Sequence, residues 1–113
     1  MHTERRADQR INLDLPVYIL RRGALERIEM LEASYRGLFV RMASPPSMRE
    51  LVRLRIDLPS RELITHAVVA RVVAEDDSGL SGIGMRLFLL QDQEKQEWQG
   101  YLAQLIHGRR RAA

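Results

Sequence analysis

The sequence contains no cysteine and no long apolar run. Without cysteine, disulfides and thiolate metal sites are excluded. No apolar stretch approaches the roughly 18 residues that a membrane-spanning helix needs. Residues 1–10 are charged where a signal peptide requires an apolar segment. We therefore expect a cytoplasmic protein without a membrane span.

Signals of catalysis and of metal binding are also missing from the sequence. The histidines, His2, His66 and His107, lie far apart and lack carboxylate companions at metal-ligand spacing. No serine lies in a nucleophile-elbow pattern, and no glycine-rich phosphate loop is present. We expect neither an enzyme nor a metal site.

Aromatic residues are scarce, at 5% of the chain, and this bears on nucleic acid as a partner. The net charge of +3 and the pI of about 9.9 favour an anionic ligand, nucleic acid or an anionic surface, without choosing among them. Small barrels that bind single-stranded nucleic acid use exposed aromatic side chains for stacking. A nucleic-acid-binding barrel is therefore the less favoured class.

What the chain does have is a series of short β-rich runs separated by turn signals. Its 113 residues are enough for one domain with a single core. Residues 51–58 have the clearest pattern, because apolar residues alternate with charged ones as in a half-buried antiparallel strand. Similar runs predict about six strands: residues 17–20, 27–31, 38–42, 51–58, 63–74 and 81–88.

The period of the pattern changes near the end of the chain. Asp92 is a suitable N-cap, and Gly108 is placed to end a helix. Between them, apolar residues recur at helical spacing and form one stripe: Trp98, Tyr101, Leu102, Leu105 and Ile106. We expect one helix that packs on the sheet through Trp98, followed by a basic tail.

An arginine-dense stretch precedes the first strand, at residues 4–10. It contains Arg5, Arg6 and Arg10, and each guanidinium is a planar fork of donors that keeps its charge. Such forks suit phosphate oxygens and the two acceptors on one edge of guanine. Taken alone, the stretch favours a solvated tail over an anion site, because it lacks apolar residues to hold it against the core.

A second motif, Glu32-Ala33-Ser34-Tyr35-Arg36-Gly37, lies between two predicted strands. The order and separation of the two motifs resemble the PilZ family, in which an Arg-x-x-x-Arg arm and an Asp/Asn-x-Ser-x-x-Gly turn bind the bacterial second messenger cyclic di-GMP. Residues 37–40 and the glycine-rich residues 82–88 are also similar to stretches of that family.

The resemblance implies a mostly β fold, a small six-stranded antiparallel β-barrel with a C-terminal α-helix. It covers nearly the whole chain. We expect a flexible arginine-rich arm at residues 1–12, a barrel with its helix at residues 13–108, and a basic tail at residues 109–113.

The resemblance also implies a ligand and its contacts. Arg6 and Arg10 would bind the phosphates and guanine edges of cyclic di-GMP through bidentate hydrogen bonds. Ser34 offers a hydroxyl, and Gly37 allows either a close approach of the backbone or a positive φ. In the family, an arginine in the place of Arg5 tends to accompany a stacked nucleotide dimer, which implies two nucleotides per protomer; the alternative for Arg5 is a solvated charge.

Glu32 departs from the pattern, because the family has Asp or Asn there. The acceptor is kept, but it is carried on one more methylene, and Glu32 could instead pair with an arginine such as Arg36. Two hypotheses follow for the family member. One is a cyclic di-GMP receptor whose arm changes conformation on binding and signals to a protein partner in motility, surface polysaccharide production or virulence. The other is a degenerate interaction module that does not bind the nucleotide.

Overall fold

A computed structural model describes residues 9–88 and 91–112, together with the side chains up to residue 108. The described residues form seven strands and one helix: β1 (Ile11–Asn12), β2 (Val17–Arg21), β3 (Ala24–Ala33), β4 (Gly37–Met42), β5 (Leu51–Asp57), β6 (Glu62–Val73), β7 (Ser81–Phe88) and α1 (Asp92–Ala112). No helix in these ranges is both long enough and apolar enough to cross a membrane.

Six of the strands close into an antiparallel barrel, in the order β3-β2-β5-β6-β7-β4. The first half of β3 pairs with β2, and its second half pairs with β4, which closes the barrel. The prediction of a six-stranded antiparallel barrel with a C-terminal helix is therefore confirmed.

The short strand β1 continues the sheet beyond the end of β2. Ile11 lies opposite Ala33 at the end of β3, and its side chain is only 2% exposed. The predicted arm thus overlaps β1, since residues 11–12 pair with β3 and a buried isoleucine fixes them to the core. Arg5 and Arg6 lie outside the described residues.

Strict alternation fills the interior of the barrel. In β5, Val52, Leu54 and Ile56 are buried while Leu51 and Arg53 are exposed, as the sequence pattern predicts. Buried apolar residues of the other strands complete a single core. This is the arrangement expected for an antiparallel sheet with one face packed on the core and the other exposed to solvent.

Helix α1 adds its apolar stripe to the same core. Trp98, Leu102 and Ile106 are buried, and Trp98 is fully so. The helix begins at Asp92 as predicted, but the prediction that Gly108 ends it is wrong, because α1 continues to Ala112. Gly108 does not take the positive φ of a helix-ending glycine, and the arginines and alanine that follow are good helix formers.

Candidate functional site

A cavity of about 520 Å³ opens on the outer face of the barrel beside the turn between β3 and β4. Four residues that the sequence singles out line it: Arg10, Glu32, Ser34 and Gly37. The rest of its lining comes mainly from the turn, β4, β6 and β7: Ala33, Arg36, Leu38, Phe39, Ala70, Arg71, Gly84, Met85 and Arg86. A second cavity, of about 790 Å³, adjoins the first and shares with it Arg10, Glu32, Phe39 and Arg71.

The turn that carries Ser34 is held from three sides. Ser34 N–H donates to Gly37 O at 2.9 Å, and Gly37 N–H donates to Ser34 O at 3.4 Å, so the two residues close a hairpin. Leu87 N–H of β7 donates to Arg36 O at 2.8 Å. From α1, the indole N–H of Trp98 donates to Ser34 O and Tyr35 O, both at 3.2 Å. The turn is thereby preorganised before any ligand arrives.

The Ser34 side chain is half-buried at the cavity wall. The Ser34 hydroxyl forms no hydrogen bond with any of the described residues. Since a serine hydroxyl can donate one hydrogen bond and accept two, Ser34 can serve a ligand without first breaking an internal contact.

Gly37 is required for a close approach and not for an unusual backbone angle. Its φ is not positive, and a Cβ at this position would lie 2.2 Å from the Met85 carbonyl oxygen of β7. Of the two reasons that the sequence leaves open for this glycine, the structure supports the approach of the backbone to the neighbouring strand.

Glu32 and Arg10 form an ion pair across the mouth of the cavity, with 3.7 Å between Glu32 Oε1 and Arg10 Nη1. The Arg10 side chain is 67% exposed and that of Glu32 is 36% exposed. Because solvent screens the pair, it contributes little to stability. It places a carboxylate and a guanidinium side by side, an acceptor and a donor for the same ligand.

Two β-bulges turn side chains toward the site. The pairing of β3 with β4 shifts between Met30 and Glu32, and that of β6 with β7 shifts between Val69 and Arg71. Because side chains alternate between faces, one extra residue moves the next one to the other face. Met30 and Val69 are buried, while Glu32 and Arg71 reach the outer face and line the cavity.

The lining of the first cavity carries a strong excess of positive charge. Arg10, Arg36, Arg71 and Arg86 line it, against the single carboxylate of Glu32. Such a cluster attracts anions, and a planar guanidinium favours phosphate and the acceptor edge of guanine.

Two arginines outside the first cavity, Arg41 and Arg55, form ion pairs with carboxylates. Arg41 Nη2 lies 2.8 Å from Glu29 Oε1, and this hydrogen bond raises the pKa of Arg41 above its ordinary value. Arg55 is held by Asp57, whose hydrogen bond likewise raises the pKa of that guanidinium. In the turn before β7, the Ser78 hydroxyl donates to Asp76 and lowers the pKa of the Asp76 carboxyl. Neither Arg41 nor Arg55 lines the first cavity.

Sequence reasoning missed Phe39, Arg71 and Arg86 as site residues. Phe39 follows the serine motif on β4, whereas Arg71 of β6 and Arg86 of β7 are distant from both motifs in the sequence. One signal was present for Arg71. In an unbroken alternation it would share the inward face of Leu63 and Val69, and an arginine there indicates a bulge. Within residues 9–88 and 91–112, no group of three or more potential metal ligands is assembled.

The family model described as the PilZ domain matches residues 4–104 of this chain. The Bacillus subtilis inhibitor of motility, MotI, has a similar fold, with a TM-score of 0.77 and 24% identity over 89% of this chain and 51% of that one. MrkH of K. pneumonia, solved as a complex with c-di-GMP, gives a TM-score of 0.76 at 19% identity over 96% of this chain and 56% of that one.

The PilZ domain of YcgR from Escherichia coli, also solved with c-di-GMP, gives a TM-score of 0.71 at 13% identity over 96% of each chain. This chain spans about half the length of the MotI and MrkH chains. No curated protein sequence matches it. At these identities the similarity to the solved structures concerns the fold.

Proposed function

This chain belongs to the PilZ domain family, and from that premise we propose that it is a receptor for cyclic di-GMP. The observation that carries the proposal is the cavity at the β3–β4 turn, which gathers Arg10, Ser34 and Gly37 with further arginines on one face of the barrel. MrkH and the PilZ domain of YcgR, which share the fold, were each solved with this nucleotide.

The chemistry of the ligand matches the charges of the cavity. Cyclic di-GMP carries two anionic phosphates and two guanines, so it needs cations for the phosphates and donors for guanine O6 and N7. Arg10, with Arg6 of the arm, supplies bidentate charge-assisted hydrogen bonds to both kinds of group. Arg36 and Arg86 add positive charge to the lining of the first cavity.

Glu32 and Ser34 supply the acceptors that guanine also requires. The N1–H and N2–H₂ donors of guanine fit a carboxylate, and the Glu32 carboxylate lines both cavities. Its ion pair with Arg10 is exposed and 3.7 Å long, so a guanine can replace it at little energetic cost. We propose that Glu32 keeps the role that Asp or Asn has in the family.

The output of the receptor is a change in the arm. Ile11 attaches the chain at β1, and Arg6 lies five positions before it in the sequence. Binding of the nucleotide draws the arm over the cavity and creates a new surface for a protein partner. Since MotI is named for the inhibition of motility, we propose motility control as the process.

Isothermal titration calorimetry with cyclic di-GMP tests this function, with GTP as the control nucleotide. We expect micromolar or tighter binding that the Arg6→Ala, Arg10→Ala double variant loses. A stoichiometry near two would support the role of Arg5 in binding a nucleotide dimer. Absence of binding at high nucleotide concentration would overturn the proposal and favour the degenerate interaction module, with Glu32 as the first suspected cause.

A further inference from the structure

A row of residues crosses four neighbouring strands on the outer face of the barrel, beside the site. Glu32 of β3 lies opposite Phe39 of β4, and Phe39 lies opposite Gly84 of β7. Gly84 in turn lies opposite Arg71 of β6. Paired residues project from the same face of a sheet, so the row brings Phe39 and Arg71 to either side of a position without a side chain.

The glycines of β7 leave room for these two side chains to meet. A Cβ at Gly82 would lie 2.6 Å from Phe39 Cζ, and a Cβ at Gly84 would lie 3.4 Å from Arg71 Cβ. The Phe39 ring therefore packs against β7 at Gly82, and the Arg71 guanidinium carbon lies 5.6 Å from the centre of that ring. This distance is within the range of a cation–π contact.

A second arginine on an aromatic ring provides a comparison. The Arg55 guanidinium carbon lies 5.1 Å from the centre of the Tyr18 ring, but Arg55 Nε also contacts Asp57 at 2.8 Å and Glu62 at 2.7 Å. Arg71 is exposed, and no ion pair joins it to a carboxylate of the described residues. The Arg71 guanidinium carbon lies over the Phe39 ring, and Arg71 lines both cavities.

We propose that Arg71 is a base-stacking residue, and that the side of its guanidinium turned away from Phe39 receives a guanine of the cyclic dinucleotide. This inference rests on the proposed function and adds a contact that neither the arginine arm nor the serine turn supplies. A guanidinium is planar and weakly hydrated, and bases stack on it as they do on aromatic rings. The Phe39 ring below keeps the guanidinium plane in place before the ligand binds, which reduces the entropy lost on binding.

Stacking can be separated from simple charge attraction by the choice of substitution. Arg71→Ala removes both the plane and the charge, whereas Arg71→Lys keeps the charge on a compact ammonium that offers no plane. Arg55→Ala is the matched control, because it removes an arginine from an aromatic ring on a strand that contributes no described residue to either cavity.

Calorimetric titration of the full chain with cyclic di-GMP is the test, with thermal unfolding of each variant as a check of folding. We expect Arg71→Ala and Arg71→Lys each to weaken binding by about 10- to 100-fold, the range for loss of one stacked base. We expect Arg55→Ala to bind as the wild type does.

Wild-type affinity in Arg71→Ala, or in Arg71→Lys, would overturn the stacking role while the receptor function stands. An equal loss of affinity in Arg55→Ala would also overturn it, since the effect would then not be specific to the cavity. If the wild-type protein itself fails to bind, the proposed function is overturned and this inference falls with it.

Discussion

Gly37 lies where the backbone of β4 comes so close to β7 that no side chain fits between them. The Cβ of an alanine there would lie 2.2 Å from a backbone carbonyl oxygen, Met85 O, which has little freedom to move. Gly37→Ala is therefore expected to destabilise the protein by roughly 1–3 kcal/mol, as overpacking does elsewhere.

Gly100 of α1 is the matched control for this substitution, since a Cβ there would meet nothing within 4 Å. Gly100→Ala is expected to stabilise the protein by roughly 0.5–1 kcal/mol through helix propensity alone. Urea unfolding of both variants measures the difference. A neutral Gly37→Ala would show that the two strands can separate, and would contradict the preorganised turn.

Glu32 is the residue at which this chain departs from the family pattern. If its carboxylate accepts hydrogen bonds from guanine, Glu32→Ala should weaken cyclic di-GMP binding by roughly 1–3 kcal/mol. Glu32→Asp should retain binding, because the acceptor remains and the family tolerates the shorter side chain.

Titration of these two variants beside Glu26→Ala, an exposed glutamate earlier on the same strand, gives the comparison. A gain of affinity in Glu32→Ala would contradict the acceptor role. It would mean that the ion pair with Arg10 withholds that arginine from the ligand.

At the scale of elements, the contact of α1 with the β3–β4 turn links the helix to the site. The Trp98 indole N–H donates to Ser34 O and Tyr35 O at 3.2 Å each, from a fully buried side chain. The helix thus supports the backbone of the turn that we propose for ligand binding, more than sixty positions earlier in the chain.

Trp98→Phe removes the donor while keeping an aromatic ring in the core. The partly buried carbonyl groups of Ser34 and Tyr35 then lose this donor, so we expect a destabilisation of roughly 1–3 kcal/mol in urea unfolding. Leu102→Met, a nearly isosteric change on the same buried stripe, should cost less, roughly under 1.5 kcal/mol. If the two variants were equally stable, the indole hydrogen bonds would contribute nothing to holding the turn.

Regular elements could be predicted from the sequence, whereas a bulge is indicated only indirectly, by a residue such as Arg71 at a position that unbroken alternation would bury. The alternation of β5 specifies its two faces because its pairing contains no bulge. The position of the bulge before Arg71 depends on how β6 pairs with β7. The sequence of one strand does not specify the register of its pairing with another. The same reasoning explains the site, since Glu32, Ser34 and Gly37 belong to one short motif, while Arg71 reaches them only through closure of the barrel.

At the scale of the whole molecule, the position of the site follows from the way in which the barrel closes. Closure between β3 and β4 brings the serine turn beside β7, and the anchored β1 places Arg10 on the same face. The described domain measures 39 × 30 × 27 Å along its principal axes. One side of the described barrel therefore carries Arg10, the serine turn and further arginines of the first cavity.

The most direct test of this account is a ¹⁵N–¹H NMR titration of the full chain with cyclic di-GMP. The account predicts the largest amide shifts at Ser34, Gly37 and Gly84, which line the first cavity. Ile19 of β2 and Leu54 of β5 lie on strands that contribute no described residue to either cavity, and their amides should remain in place. Shifts centred on β2 and β5, or no shifts at saturating nucleotide, would contradict the assignment of this cavity as the receptor site.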